Sequence, residues 1–286
     1  MASANTVDYS ESLYKEKLLK TMKEFTDVCR RNDIEYIGAY GTVLGAVRHK
    51  GLIPWDDDID VFMTRENYEK FLRLKKSLAG SGYEIVDLDD KGYYLPFAKF
   101  CDTNTTIWEV ESLPFVFGIF IDVFPLDFVE EDDRECEKLR NAYMALFRRY
   151  IHSLRVYHAK DLLSLKGLKS FVKSVLFKLI VRKGMLRSLE SKIKQKRGPY
   201  RMYYRSMDTY AKSKFVSAWF DECVEVPYEN ISIRIPKDYD AFLTQCYGNY
   251  MQLPPEEKRV SQHFHYFVDL DKRLSVEEIR KIKNGK

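Results

Sequence analysis

The chain has 286 residues, 45% of them hydrophobic, with a formal net charge of +4. That length and apolar content can bury a full core and exclude a disordered chain. Cys29, Cys101, Cys136, Cys223 and Cys246 form no CxxC pair and no Cys/His zinc spacing, so they read as buried thiols of a reducing compartment. The N-terminus lacks a basic segment followed by an apolar run, and no stretch offers the ~18 uninterrupted apolar residues of a membrane span. A cytoplasmic protein is the expectation. The modest net charge hides an asymmetry. Residues 146–205 hold seventeen Lys/Arg against two acids, a net of +15 that leaves −11 for the rest of the chain.

In chain order, residues 10–32 read as a helix, because Leu13, Leu18, Leu19, Met22, Phe25, Val28 and Cys29 recur at helical spacing. Ser10 or Ser12 can cap it. Ile34–Tyr40 suits a buried strand that Gly41-Thr42 ends, and VLGAVRH reads as one or two helical turns. Gly51 and Pro54 break the chain again. Asp58-Ile59-Asp60-Val61 alternates polar and apolar like a strand edge. Residues two apart in a strand share a face, with Cα atoms roughly 6.5 Å apart. Asp58 and Asp60 can therefore meet one ion. Carboxylates packed this closely repel, and either protonation or a divalent cation relieves them. Asp56 and Asp57 fit a solvated acidic turn equally well.

Thr64 is the expected N-cap of a helix over 66–79, closed by Gly80 and Gly82. Strands follow at 83–88 and 93–102, joined by a hairpin turn at 89–92, with another at 105–110. Lys99 sits in the apolar LPFAKF run and points either into a cleft or to solvent. Glu109 and Glu111 read as ordinary surface acids. Residues 117–129 are almost continuously apolar, as a strand buried on both faces would be. Asp122 in its middle needs a partner: a metal shared with Asp58 and Asp60, or a salt bridge. Pro125 is expected to end that strand before Asp127.

Residues 136–155 read as a helix, and 162–197 as one or two cationic amphipathic helices. Three readings stay open for the latter: a docked helix with a solvated basic face, a surface lying on an anionic membrane, or a nucleic-acid patch. No helix-turn-helix, RNA-binding or zinc motif accompanies the charge, so nucleic acid is not expected. A mixed pattern over 206–220 places Trp219 and Phe220 inside. Two short strands over 224–235 flank Tyr228-Glu229-Asn230. A helix from Pro236 closes at Gly248, and a last helix covers 276–283.

Residues 40–71, YGTVLGAVRHKGLIPWDDDIDVFMTRENYEKF, resemble the signature of the LicD phosphotransferases. That family belongs with the nucleotidyltransferase-like fold and includes phosphocholine transferases, with the fukutin-related proteins as distant relatives. GIFIDVFPLD at 118–127 and RIPKDYDAFLTQCYGNYMQLPPEEKR at 234–259 resemble it too, on either side of a divergent middle. The resemblance implies an α/β (α+β) fold: a mixed nucleotidyltransferase-type sheet flanked by helices, with a basic helical insert. The expected division is a catalytic core over 1–134, the insert over 135–220, and a segment over 221–286 that packs back on the core.

The resemblance also implies site roles. In such folds a Gly-Ser or Gly-Thr turn precedes an Asp-x-Asp strand, and a neighbouring strand supplies a third carboxylate. Asp58, Asp60 and Asp122 match those positions, as metal ligands and catalytic groups, with Mg²⁺ or Mn²⁺ as the cofactor. Gly41 lets the backbone approach a phosphate, and Thr42 can hydrogen-bond it. The gap from Gly41-Thr42 to Asp58 is longer than the superfamily's usual spacing, and RHKGLIPW fills it. Arg48, His49 and Lys50 are thus candidates for donor phosphate contacts, Arg48 through paired N–H groups and Lys50 as a point charge. His49 equally suits an exposed helix end. Trp55 suits a stacked base, a quaternary ammonium or the core. Lys99, Lys258, Arg259 and His263 are further candidates for donor or acceptor contacts, or are structural.

The implied reaction moves a substituted phosphate from CDP-choline to a sugar hydroxyl of a cell-surface glycan. CDP-linked ethanolamine, glycerol or ribitol are the other donors of this kind. Acceptors would be lipopolysaccharide, a teichoic acid precursor or a lipid-linked glycan, met at the inner face of the membrane. The alternatives are a nucleotidyltransferase that moves NMP, or a non-catalytic nucleotide- or glycan-binding module.

Overall fold

The computed structural model describes residues 10–130, 132–204, 213–261 and 263–285. The N-terminal residues read for a leader, and the 206–212 part of the mixed pattern, lie outside the described residues. The chain opens with α1 (Glu11–Arg31), capped by the Ser10 side chain, which accepts the Leu13 N–H. It buries Leu18, Met22, Phe25, Val28 and Cys29 of the residues that the spacing marked, leaves Leu13 and Leu19 partly buried, and buries Tyr14 besides. Next come β1 (Ile37–Gly38), α2 (Tyr40–Arg48), β2 (Asp60–Thr64) and α3 (Arg65–Arg73). Thr64 caps α3 as expected, accepting the Asn67 N–H.

The strand expected over 34–40 shrinks to two residues. Tyr40 takes a positive φ of 40° and begins α2, so Gly41 and Thr42 lie in the first helical turn rather than in a loop. The same apolar run suits a buried helix start as well as a strand, and only tertiary packing separates the two. The Tyr40 ring meets Phe62 and Phe124 at centroid distances of 5.0 and 6.1 Å.

Strands β3 (Tyr83–Val86) and β4 (Ala98–Asp102) pair antiparallel, but Val86 stands opposite Lys99. Their connection is therefore a long loop and not the tight hairpin expected at 89–92. The segment β5 (Thr106–Trp108) leaves this sheet to pair with the late strand β11 (Phe267–Asp269), tying the C-terminal stretch to the core. The longest strand is β6 (Phe120–Val129). It runs parallel to β2 and antiparallel to β4, giving the order β1-β2-β6-β4-β3.

Pro125 does not end β6. The Asp122 N–H donates to Ile59 on the β2 side, so by alternation the Pro125 nitrogen faces the other edge. There β4 has already left at Val123, and no ladder hydrogen bond is lost. The strand continues to Asp127, whose carboxylate is gripped by Arg65 through Nε at 2.7 Å and Nη2 at 2.6 Å.

After β6 come α4 (Asp133–Leu154), α5 (Leu165–Ile180) and α6 (Lys183–Lys194). β7 (Tyr200–Met202) and β8 (Lys214–Val216) follow, and β7 pairs with the end of β6, so the stretch after the basic helices rejoins the main sheet. Helices α4 and α6 bury a second apolar cluster that includes Val129, Tyr143, Phe147 and Leu186. Helix α5 does not follow that pattern: Ser174 is its one buried residue among those described. The helix docks on α4 through Ser174 and half-buried Phe177, whose ring meets His152, and its lysines are exposed, but most of its aliphatic residues are exposed as well. The hairpin β9 (Cys223–Tyr228) and β10 (Ile231–Pro236) follows as expected. The helix expected from Pro236 is α7 (Tyr239–Tyr247), closed by Gly248 at φ +67°. The chain ends in α8 (Val276–Lys283), held by a capping box between Ser275 and Glu278. No helix among the described residues is long and apolar enough to cross a membrane.

Arg65 also reaches Glu190 of α6, at 2.9 Å. Replacing Arg65 with Met would leave two carboxylates near each other without that guanidinium. Urea unfolding of Arg65→Met is expected to show a loss of about 3 kcal/mol, as when one partner of a buried ion pair is removed.

Candidate active site

The site is built on the parallel pairing of β2 and β6, whose register sets Asp60 directly beside Asp122. Asp60 is fixed on its other edge as well. Its N–H donates to Thr42 Oγ1 at 2.8 Å, and its C=O accepts the Ala39 N–H at 2.9 Å. Asp58 lies two residues before β2 and returns to the same face. One carboxylate oxygen from each of Asp58, Asp60 and Asp122 lies within 4.8 Å of the other two. Asp56, Asp57, Asp58 and His263 form a second group on the same criterion and share Asp58 with the first.

The glycines of this stretch are there for close approach. A Cβ on Gly41 would stand 3.0 Å from Asp56 Oδ2, and one on Gly45 would stand 2.4 Å from the Gly51 carbonyl oxygen. The loop that carries the aspartates thus folds down onto α2 with no room for side chains. Glu229, at the tip of the β9–β10 hairpin, pins that loop: its Oε1 accepts the Leu52 N–H, and its own N–H donates to the Lys50 carbonyl.

Burial and then the neighbouring Asp56 charge push the Asp58 carboxyl well above the usual range. Asp60 moves the same way, from burial and then from Asp58. Burial pushes Asp122 up to about 6, with the Lys99 ammonium pulling against it. Like charges at close range in a poorly solvated place strain the ionised form. The three carboxylates offer the all-oxygen set that a hard divalent cation takes.

Lys99 is 1% exposed. Its Nζ donates to Asp122 Oδ1 at 2.7 Å, lies 3.7 Å from Glu109 Oε1, and stands 3.2 Å from the Phe120 ring centroid. Burial works to lower its pKa, and the charges of Asp122 and Glu109 outweigh that and raise it. The salt-bridge option for Asp122 is therefore present, with a lysine in place of an arginine. Glu109 is not the ordinary surface acid that the sequence suggested. It is half-buried beside Lys99 and accepts the Tyr94 O–H at 2.7 Å.

His263 comes from far along the chain. Its Nδ1 lies 2.7 Å from Asp57 Oδ1 and its Nε2 lies 3.5 Å from Asp58 Oδ2. The Asp57 hydrogen bond is the largest cause that raises its pKa, to about 9, so the ring is a cation at neutral pH. Ser261 donates to the other Asp57 oxygen at 2.9 Å. Asp56 and Asp57 are thus part of the cluster rather than a free acidic turn, and four aspartates in five positions was the signal for it.

His49, Arg259 and Lys258 gather around Trp55, and Arg48 and Lys50 do not touch its ring. His49 meets its ring edge-on at 5.8 Å, and the Arg259 guanidinium lies 5.7 Å from the ring centroid. Arg48 donates to His49 Nε2 at 2.9 Å and to the Tyr250 carbonyl at 2.7 Å. Lys258 lines a cleft of about 560 Å³ with Trp55, Asp56, Glu257 and Val260. Lys50 is exposed, and its ammonium donates back to the Val47 carbonyl at 3.2 Å. The Asp58/Asp60/Asp122 cluster and the Trp55 cleft adjoin each other through Asp56.

A mixed sheet with carboxylates converging from β2 and β6 is the arrangement of a nucleotidyltransferase-type domain. Residues 33–166 match the family described as LicD/FKTN/FKRP, nucleotidyltransferase domain. That stretch of the chain carries a LicD-family nucleotidyltransferase domain. The chain is similar to a lipopolysaccharide cholinephosphotransferase LicD of Haemophilus influenzae, 28% identical over 249 residues, 86% of this chain and 92% of the relative. An uncharacterized protein of Rickettsia typhi is 34% identical over 116 residues, 41% of this chain and 36% of that protein. One of Rickettsia prowazekii is 35% identical over 68 residues, 24% and 26% of the two chains.

A cluster that holds like charges together is costly without a counter-ion. Asp60→Asn is expected to raise stability in chelator-treated buffer by about 1 kcal/mol or more, the free energy of one pKa unit of relieved repulsion. Thermal melts of the two proteins in EDTA check it.

Proposed function

We propose that this protein transfers phosphocholine from a CDP-choline donor to a sugar hydroxyl of a cell-surface glycan. Lipopolysaccharide is the acceptor class favoured, and a teichoic acid precursor is the other of the same chemistry. The single observation that carries the reading is the convergence of Asp58, Asp60 and Asp122 from separate parts of the chain within 4.8 Å. The named relative, covered over 92% of its length, supports choline phosphate as the group moved.

In this reading Asp58, Asp60 and Asp122 hold Mg²⁺ or Mn²⁺. When bound, the ion supplies charge neutralisation for the donor phosphates. The chain's own groups do the rest. The His263 imidazolium, beside Asp57 and Asp58, faces the anionic donor as a hydrogen-bond donor. Lys99 holds Asp122 through one carboxylate oxygen and fixes its direction. Asp122 is the group we assign to take the proton from the attacking sugar hydroxyl. Trp55, with Asp56 and Glu257 in the same cleft, offers the aromatic face and negative charge that a quaternary ammonium prefers. Arg259 and Lys258 border that cleft and suit the nucleotide phosphates.

The test is turnover of CDP-choline with Mg²⁺ and a glycan acceptor, reading released CMP. Asp60→Asn is expected to lower kcat by about 10²-fold or more. Pyrophosphate or a nucleotidylated product in place of CMP would mark NMP transfer, and binding without turnover across acceptors would mark a non-catalytic module. Either result overturns the reading.

Two further outcomes are expected. Magnesium at about 100 times its Kd should stabilise the wild-type protein by ~2.7 kcal/mol in a thermal melt, and Asp60→Asn should lose that response. Trp55→Leu should cut the preference for CDP-choline over CDP-ethanolamine roughly fivefold, the value of one exposed cation–π contact. The ratio of kcat/KM for the two donors reads it.

A further inference from the structure

Helix α5 is built inside out. Leu165, Leu168, Val172, Val175, Leu176 and Leu179 recur at three- and four-residue spacing and so share one face. That face is open: Leu165 is 78% exposed, Leu179 69% and Val172 57%. Leu163, in the turn before the helix, is 89% exposed. The opposite face is the one that docks. Ser174 is buried there, and the Ser170 carbonyl meets His152 Nε2 of α4 at 2.9 Å and accepts the Tyr157 O–H at 3.0 Å. Ser170, Ser174 and half-buried Phe177 face the protein, and the aliphatic residues face away from it. Lys166, Lys169 and Lys173 follow the same spacing beside the aliphatic stripe.

We propose that α5 is an interfacial helix that lies in the plane of an anionic lipid bilayer, with its aliphatic stripe in the acyl boundary and its lysines at headgroup level. The helix has 16 residues with lysines throughout, so it lies on a bilayer rather than spanning it. Charge selects the occupant. The surrounding stretch carries +15 while the rest of the chain carries −11, so an anionic surface attracts this face and repels the remainder. A second copy of the chain would bring two such basic stretches together. A nucleic acid would use the lysines and leave the aliphatic stripe in water. The proposal stands on this helix alone and does not depend on the reaction proposed above.

The test is co-sedimentation of the full chain with vesicles of phosphatidylcholine plus phosphatidylglycerol, and with phosphatidylcholine alone. Binding is expected with the anionic vesicles, weakening as salt is raised. The charge reversals Lys166→Glu, Lys169→Glu and Lys173→Glu together should weaken it roughly hundredfold or more, at ~1 kcal/mol per basic residue near the surface. Val172→Asp with Leu176→Asp should weaken it at least about tenfold, because the stripe no longer enters the acyl region. All these positions are exposed, and unchanged thermal melts would confirm intact folds. Failure of the wild type to sediment with anionic vesicles would overturn the proposal. So would binding that the two aspartates leave unchanged, which would be surface charge alone. A wild-type dimer in ultracentrifugation that the aspartates dissociate, without vesicle binding, would assign the face to a second copy instead.

Discussion

The parallel register of β2 on β6 puts two carboxylates side by side, Asp60 against Asp122, and most of the surrounding architecture serves to tolerate that pairing. A sheet normally avoids like charges in register, because the cost grows as solvent is removed. Here both strands are fixed by partners on their outer edges, so neither can slip to relieve it. β2 is held by β1 and by the Thr42 hydroxyl, and β6 is held by β4. Lys99 offsets part of the charge at Asp122, and His263 offsets part at Asp57 and Asp58. What remains is a concentration of negative charge that the folded chain maintains without fully neutralising.

Much of this was legible in the residues. Periodicity marked α1, α4 and the hairpin β9–β10, and cap chemistry marked Thr64, Ser10 and Gly248. Asp-x-Asp two apart put Asp58 and Asp60 on one face, while Asp122, left between a shared ion and a salt bridge by its buried strand, joined them only through the resemblance. Pairing between elements was not legible. Nothing local says that β5 deserts the main sheet for β11, or that β3 and β4 are joined by a long loop. Pro125 shows the limit of a local rule. A proline ends a strand only if its missing N–H was needed, and that depends on where β4 stops.

The same holds for the site. Lys99 was visible as an anomalous lysine in an apolar strand, but its partner could not be read from spacing, since Glu109 and Asp122 reach it through tertiary packing. Glu109 passed for a surface acid because nothing in its neighbours signals burial. Arg48 and Lys50 sit two residues apart and look alike in sequence. The structure ties one to His49 and Tyr250 and turns the other back on its own helix end. The basic stretch was legible as amphipathic, yet its orientation was not. A hydrophobic stripe at helical spacing ordinarily faces the protein, and only coordinates show the serines of α5 facing in.

The positions of His263, Ser261 and Arg259 bear on how the catalytic unit is bounded. The matched family segment ends at residue 166, and the first 134 residues contain every acid of the cluster. They contain Lys99, which is held by Asp122, but not His263 or Arg259. An anionic donor approaching four aspartates from solvent meets net repulsion, and a protein that binds phosphates there needs positive side chains as well as an ion. His263 and Ser261 supply hydrogen bonds directly to Asp57, and Arg259 stands at Trp55. These groups arrive on the chain between α7 and β11, and β11 is anchored to the core by its pairing with β5. The late strand pairing that sequence could not foresee is therefore what brings the cationic wall against the acidic one. A core cut at residue 134 would keep the carboxylates and Lys99 and lose His263 and Arg259, the charges that stand at Asp57 and Trp55.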